Sequence, residues 1–158
     1  KGVGNVVSGY TGGSPSADGD RPSYDVVSSG ESGHAEAIQI TFNPSVISYE
    51  KLLDIFWHLI NPTTLNRQGA DVGEQYRSVI FYHDEQQKRQ AEQSKRKLEE
   101  SKYYQDPIVT KIEPLKNFYP AEGYHQDYYE KNSDKAYCRI VIDPKIQKLM
   151  LKYPQEIK

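Results

Sequence analysis

Cysteine is nearly absent from this chain of 158 residues, in which Cys138 carries the single thiol. One cysteine cannot form a disulfide framework, and it cannot build a zinc site from several thiolates. The fold must therefore be stabilised by a hydrophobic core, for which a chain of this length is large enough. We predict one domain that spans residues 1–158.

An excess of basic residues is also missing, because 20 Lys and Arg are balanced by 22 Asp and Glu and the formal net charge is −2. Such a composition provides no basic stripe to neutralise a nucleic-acid backbone. No apolar run approaches the ~20 residues that cross a bilayer, and no signal peptide is visible. We expect a cytoplasmic monomer that binds neither nucleic acid nor membrane.

Tyrosine, in contrast, is abundant, with 13 Tyr against 4 Phe and 1 Trp. Its ring supplies apolar area and its hydroxyl supplies a hydrogen-bonding tip. Most of these residues are expected at the boundary of the core, and a few could line a polar pocket.

Hydrophobic periodicity and turn residues divide the chain into strands and helices. Strands are predicted over residues 3–10, 35–42, 77–82, 108–112 and 137–142. Helices are predicted over residues 48–60, 84–101, 121–132 and 144–153, with long loops over 14–33 and 65–75. The 77–82 strand is expected to be central, the charged 84–101 helix to lie on the surface, and Ile146, Leu149 and Met150 to point inward.

The order strand, strand, helix, strand predicts an α+β fold. It fits a ferredoxin-like two-layer α/β sandwich, the split β-α-β plan, in which a further β-α unit comes first. That unit is missing from the given chain, which begins at Lys1 without Met. We expect it to precede Lys1, so that the domain is incomplete at its N-terminus.

One carboxylate, Glu36, lies at the entry to an apolar strand, and no Lys or Arg lies within five residues on either side. Desolvation of its charged form without a neighbouring cation would raise its pKa and favour proton donation at neutral pH. The alternative is a glutamate at the strand edge that faces water.

Five separated motifs resemble methionine sulfoxide reductase A. They are GYTGG at 9–13, PSY at 22–24, SGESGHAE at 29–36, RQGADVGEQYRS at 67–78 and YHQDY at 124–128. The resemblance covers nearly the whole chain. It implies reduction of the S epimer of methionine sulfoxide, free or in oxidised proteins. It also implies that no cofactor is bound and that the reductant is an external thiol, either thioredoxin or dithiothreitol.

The resemblance assigns roles to four residues. Glu36 matches the acid that protonates the sulfoxide oxygen, and Tyr24 and Tyr76 match the two phenols that hold this oxygen. Asp71 matches a carboxylate that organises the pocket. A sulfoxide sulfur is a poor electrophile until its oxygen is protonated or hydrogen-bonded, which fits a cradle of one acid and two phenols. Either tyrosine could instead serve packing alone, and Asp71 could simply form a turn.

Three further residues are predicted around this pocket. His34 adjoins Glu36 and either contacts the pocket or orients the loop that carries Glu36. His125 and Tyr128 are interpreted as a wall of the pocket. His125 and Asp127 point to different faces of a predicted helix, so we predict no metal site there.

The chain departs from the family at the nucleophile. The family's Cys, or selenocysteine, occurs in a Gly-Cys-Phe-Trp-Gly motif at a helix N-terminus, where the thiol pKa is lowered. This motif is absent from residues 1–158. We expect it just before Lys1, together with the Phe and Trp that hold the substrate methyl group. A second hypothesis is therefore a catalytically silent module that binds methionine sulfoxide or methionine-rich peptides.

Cys138 lies where many family members have a recycling cysteine. Those members have a Gly-rich tail there, whereas this chain is predicted to continue as a strand and a helix. We favour a static, partly buried thiol, with direct reduction of the oxidised enzyme by an external thiol or a thioredoxin-like partner. The alternative is that Cys138 recycles the enzyme.

Overall fold

The computed structural model describes residues 1–14 and 21–157, and the predicted loop over 14–33 falls partly outside them. Helices and strands are mixed along the chain, which confirms the predicted α+β class. The elements are β1 (Val3–Thr11), α1 (Tyr24–Ser28), β2 (Ala35–Phe42), α2 (Tyr49–Leu59), β3 (Arg67–Gln68), β4 (Asp71–Val72), a 3₁₀ turn (Glu74–Tyr76), β5 (Val79–Tyr82), α3 (Glu85–Ser101), β6 (Lys111–Pro114), β7 (Phe118–Pro120), α4 (Tyr128–Asn132), a π-helix (Cys138–Ile142) and α5 (Asp143–Lys152).

The main sheet has the order β2-β1-β7 and is antiparallel. In its longest pairing Tyr10 lies opposite Glu36 and Thr11 opposite Ala35, while the one irregularity lies at Val3 and Asn5, at the other end of β1. Directly opposed residues of an antiparallel pair project to the same face, so this register sets the direction of Glu36. β3 and β4 form a separate hairpin, and β5 pairs in parallel with β6.

The hydrophobic core that we call the helix core lies between α2, α3 and β5. Its buried residues are Leu53, Trp57, Ile80, Ala91 and Leu98. Ser48 caps α2 by accepting from the backbone N–H of Lys51, and Asp84 caps α3 by accepting from that of Gln87. The 84–101 helix is indeed a surface helix, because only its Ala91 and Leu98 are buried.

The C-terminal third differs most from the sequence prediction. The predicted strand over 137–142 is wrong, because residues 136–152 are helical without a break and Cys138–Ile142 form a π-helix. β-branched residues favour strands where they pack on a pleated, half-buried surface. Here Ile140 is 73% exposed and pairs with none of the described strands, so it lacks the half-buried sheet surface on which that preference depends. No α5 residue is buried, so the predicted inward position of Met150, which is 53% exposed, is wrong. Ile146 and Leu149, also predicted to point inward, are half-buried.

Other boundaries shift for local reasons. The predicted helix over 121–132 is reduced to Tyr128–Asn132, because the Gln126 side chain bonds both backbone groups of Ser8 and holds the preceding segment against β1. The 14–33 loop contains α1, which Ser23 caps, and the 65–75 loop contains the β3–β4 hairpin. The 108–112 strand is observed at Lys111–Pro114. β5, expected to be central, pairs with β6 alone among the described strands.

Candidate active site

Glu36 is the second residue of β2 and follows a tight turn. Gly33 takes a positive φ of 67° in this turn, which a side chain would strain. His34 and Ala35 are buried behind it, and the Arg77 guanidinium donates to the Gly33 carbonyl at 3.0 Å. The turn and the strand register together direct the Glu36 carboxyl group to the face on which Tyr10 lies.

Solvent reaches Glu36, yet surrounding protein atoms displace part of its hydration shell. This desolvation raises the pKa of Glu36, and the negative charge of Asp71 raises it further. Among the described residues, no cation contributes to the pKa shift of this carboxyl. The electrostatic environment therefore favours the protonated acid over a wider pH range than an ordinary glutamate would have.

Asp71 and Tyr76 reach Glu36 from the second loop, on β4 and at the end of the 3₁₀ turn. The buried Gln75 anchors this loop by donating to the Ser28 carbonyl at 3.0 Å. Burial raises the pKa of the Tyr76 phenol, and Glu36, Tyr24 and Asp71 raise it further. The phenol therefore stays protonated and able to donate a hydrogen bond at neutral pH.

Tyr24 is the first residue of α1 and is half-buried. Its ring packs against the buried cluster of Tyr10, Val27 and Ala121, and its centroid lies 4.6 Å from that of His125. Because Tyr24 also acts electrostatically on Tyr76, the structure brings both predicted phenols and both predicted carboxylates into one region.

The remaining predicted pocket residues lie around this region. His125 contacts Tyr24, and Tyr128 lies edge-on to Tyr137 with centroids 6.4 Å apart. His34 is only 4% exposed and packs edge-on against Tyr119 at 5.8 Å, so it lies behind the turn and not on the pocket surface. Burial lowers the pKa of His34, and the positive charge of Arg77 lowers it further, whereas Ser32 acts to raise it. The net lowering of the pKa favours the neutral imidazole.

Sequence reasoning missed Tyr137. Its hydroxyl donates to Asp71 Oδ2 at 3.3 Å. Burial is the main cause that raises the pKa of Tyr137 to about 12. The negative charge of Asp71 and the hydrogen bond to it raise this pKa as well. The contact joins residues 66 positions apart, and residue 137 was assigned to a strand, so no local signal pointed to it. We call Glu36, Tyr24, Asp71, Tyr76 and Tyr137 the Glu36 cluster.

Comparisons with known proteins identify the family of this chain. The sequence profile of the family described as "Peptide methionine sulfoxide reductase" matches residues 1–157. The chain belongs to this family.

Sequence and structure alignments with named relatives cover most of this reductase. The protein named Peptide methionine sulfoxide reductase MsrA from Leptospira borgpetersenii is 55% identical over 150 residues, which cover 95% of this chain and 82% of that protein. Reduced Mxr1 from Saccharomyces cerevisiae has a similar fold, with a TM-score of 0.79, 37% identity and coverage of 87% of this chain and 76% of that one. Mxr1 in complex with Trx2 matches with a TM-score of 0.52, 26% identity and coverage of 80% and 67%. This reductase is accordingly an oxidoreductase.

Cys138 of the reductase is fully buried, with 0% exposure, within the π-helix. It directly follows Tyr137, but successive residues of a helix point in different directions, so the contact of Tyr137 with Asp71 does not bring the thiol to the cluster. The thiol is thus more buried than the partly buried thiol that was predicted, and it lies on a helix and not on a strand.

Two other observations bear on the kind of site. Within residues 1–14 and 21–157, no three His, Cys, Asp or Glu side chains are grouped to hold a metal ion. No helix in the same part of the chain is both long and apolar enough to span a membrane.

Proposed function

We propose that this reductase converts methionine S-sulfoxide, free or peptide-bound, to methionine with Glu36 as the proton donor. The observation that carries this proposal is the convergence of a carboxyl group of raised pKa with the phenols of Tyr24 and Tyr76. These groups donate hydrogen bonds to one oxygen without placing a cation beside it.

In the proposed reaction, a thiolate or selenolate attacks the sulfoxide sulfur while Glu36 delivers a proton to the departing oxygen. A bond forms between the nucleophile and the substrate sulfur, and the sulfur–oxygen bond breaks so that the protonated oxygen leaves as hydroxide. Hydroxide then attacks the sulfur or selenium of the nucleophile. The bond to the substrate sulfur breaks, its electron pair leaves with methionine, and the nucleophile becomes a sulfenic or selenenic acid. One external thiol then displaces water to form a mixed disulfide, and a second thiol restores the nucleophile. No bound cofactor takes part in these steps.

The source of the nucleophile is also part of the proposal. Cys138 is the only cysteine of the chain, and its thiol is fully buried on a helix. We propose that a thiolate or selenolate outside residues 1–158 attacks the substrate. The 158-residue chain with dithiothreitol should then show no sustained sulfoxide reduction. Reduction that survives Cys138→Ser would contradict this assignment.

The reductant is proposed to be a thioredoxin-like thiol protein, with dithiothreitol as its substitute in the assay. The support is the similarity to yeast Mxr1, for which a complex with Trx2 has been solved. The position of Cys138 favours direct reduction of the oxidised nucleophile by this partner, without an internal relay.

The role of Glu36 is tested by Glu36→Gln in the intact reductase, which here means the protein that includes the proposed nucleophile. The amide keeps the shape of the side chain but cannot donate an acidic proton, so kcat should fall by ~10²–10⁴. KM should change much less. The matched control is Glu31→Gln, an exposed carboxylate in the preceding loop, which should leave kcat unchanged.

The same variant separates the acid role from a structural one. The folded state raises the pKa of Glu36, so stability is lost as pH rises and this group ionises. Glu36→Gln should therefore be at least as heat-stable as the parent at neutral pH. A variant with near-normal kcat would exclude the acid role. Substrate binding by the intact parent without any turnover would favour the silent binding module.

A further inference from the structure

Glu122 is a carboxylate outside the predicted site that bridges two parts of it. Its Oε2 accepts the Tyr10 hydroxyl at 2.6 Å, and its Oε1 accepts the backbone N–H of Tyr24 at 2.9 Å. Both partners are about 100 residues away in sequence, at separations of 112 and 98. The bridge is therefore a product of the tertiary fold and not of local turn geometry.

Both partners of Glu122 lie next to groups of the proposed chemistry. Tyr10 is 2% exposed and lies opposite Glu36 in the β1–β2 register. Tyr24 carries one of the proposed phenols and begins α1, where the first backbone N–H has no partner within the helix. Ser23 caps a different group, the N–H of Val26, so Glu122 is the partner that fixes the main chain at Tyr24.

The position of Glu122 is itself fixed. The backbone N–H of the preceding residue, Ala121, donates to the Ser8 carbonyl at 2.8 Å. Gln126 closes the segment by accepting from the Ser8 N–H at 2.9 Å and donating to the Ser8 carbonyl at 2.8 Å. The segment that carries Glu122 is thus held against β1, the strand that also carries Tyr10.

The two donors favour the charged form of Glu122. Desolvation acts to raise the pKa of this carboxyl, but the hydrogen bonds from Tyr10 and from backbone groups outweigh it and lower the pKa. At neutral pH Glu122 is an anion with both oxygens occupied, so it supplies no proton to the reaction.

We propose that Glu122 is a positioning residue that holds the Tyr24 phenol in the Glu36 cluster by joining the main chain of Tyr24 to Tyr10. This inference rests on the proposed function of Tyr24 and extends it. Glu122 touches neither substrate nor nucleophile in this scheme. Its effect on turnover must therefore pass through Tyr24.

A double-mutant cycle tests this in the intact reductase. Glu122→Ala should lower kcat about three- to tenfold, within what one ordinary hydrogen bond contributes. The loss should disappear when Glu122→Ala is combined with Tyr24→Phe, and it should persist in combination with Tyr76→Phe. Glu122→Gln, which keeps an acceptor for the Tyr24 N–H, should restore most of kcat. Glu130→Ala, an exposed glutamate on α4, is the control and should have no effect.

A second measurement does not depend on turnover. In the intact reductase labelled at the tyrosine ring carbon that bears the hydroxyl, Glu122→Ala should shift the NMR signal of Tyr24 and leave that of Tyr103 in place. If Glu122→Ala does not fold, Glu122→Gln is compared with the parent in the same two experiments, and a small shift confined to Tyr24 and Tyr10 is expected.

Each outcome has a separate meaning. An unchanged kcat for Glu122→Ala, or a loss that persists undiminished beside Tyr24→Phe, overturns the positioning role. If Tyr24→Phe and Glu36→Gln themselves leave kcat unchanged, the proposed function fails instead. A shift of the Tyr24 signal together with a loss that depends on Tyr24 supports the inference.

Discussion

The helix core and the Glu36 cluster are held together by different interactions. In the helix core, Leu53, Trp57 and Ala91 are at most 3% exposed and pack against each other across α2 and α3. The Glu36 cluster is partly exposed to solvent. Hydrogen bonds between loops, from Gln75 to Ser28 and from Arg77 to Gly33, fix the segments that carry its members. Apolar burial stabilises the first region, and polar contacts give geometry to the second. Substitutions in the helix core should therefore change mainly the free energy of unfolding, and substitutions in the Glu36 cluster should change mainly turnover.

The largest effect on stability is expected in the helix core. Leu53→Ala removes a buried side chain and leaves a cavity, so the free energy of unfolding should fall by about 2–5 kcal/mol. Urea unfolding measures this loss, and kcat of the folded fraction should stay close to the parent value. Leu65→Ala is the control, because this leucine is 69% exposed and should contribute little. A large drop in kcat well below the unfolding midpoint would show that the two regions are coupled.

The phenols test the Glu36 cluster. Tyr24→Phe and Tyr76→Phe should each raise the activation free energy by ~0.5–1.5 kcal/mol, about one neutral hydrogen bond. Because both phenols are proposed to hold one oxygen, the double variant should lose more than the sum of the single losses. The comparison is kcat/KM with a methionine S-sulfoxide substrate, with Tyr103→Phe as a control outside the cluster. Strictly additive losses would indicate that the hydroxyls do not converge.

Asp71 should affect pH dependence more than maximal rate. Its charge raises the pKa of Glu36, and turnover needs protonated Glu36, so kcat should fall as pH rises through that pKa. Asp71→Asn removes the charge, lowers the pKa of Glu36 and moves this alkaline decline to lower pH. The exposed Asp106→Asn is the control. An alkaline decline that does not move would mean that Asp71 does not act on Glu36.

The smallest effect is expected at Cys138. Its thiol is fully buried, and a cross-link needs Cα atoms within about 7 Å of each other. In the intact reductase, Cys138→Ser should leave turnover with dithiothreitol nearly unchanged. Peptide mapping after a single turnover should find no bond between Cys138 and the nucleophile. Detection of that bond would make Cys138 a recycling residue and would require the π-helix to open.

Local sequence signals predicted the helix core well. The apolar spacing and the caps at Ser48 and Asp84 are contained within short segments, so α2 and α3 were placed almost to the residue. The bounds of strands β1 and β2 are predicted equally well by their apolar alternation and flanking turn residues.

Local sequence signals do not predict the helical backbone of the C-terminal third or the long-range contacts of the Glu36 cluster. The run Ile140–Val141–Ile142 has strand preference, yet it lies in the π-helix, where Ile140 is 73% exposed and packs on no sheet. The contacts of Tyr137 with Asp71 and of Glu122 with Tyr10 join distant segments, and no periodicity encodes them. The four roles taken from the family resemblance remain predictions that the experiments above address.

The irregular pairing at Val3 and Asn5 has a consequence for how this domain tolerates change in length. It lies at the far end of β1, whereas the pairing from Asn5 to Thr11 runs without a shift to the position opposite Glu36 and Ala35. An extra residue near Val3 would enlarge a bulge that is already present. An extra residue between Ser8 and Tyr10 would instead turn the strand over and exchange the two faces of the sheet beside Glu36. Insertions and deletions in related chains should accordingly accumulate near Val3 and be rare between Ser8 and Tyr10.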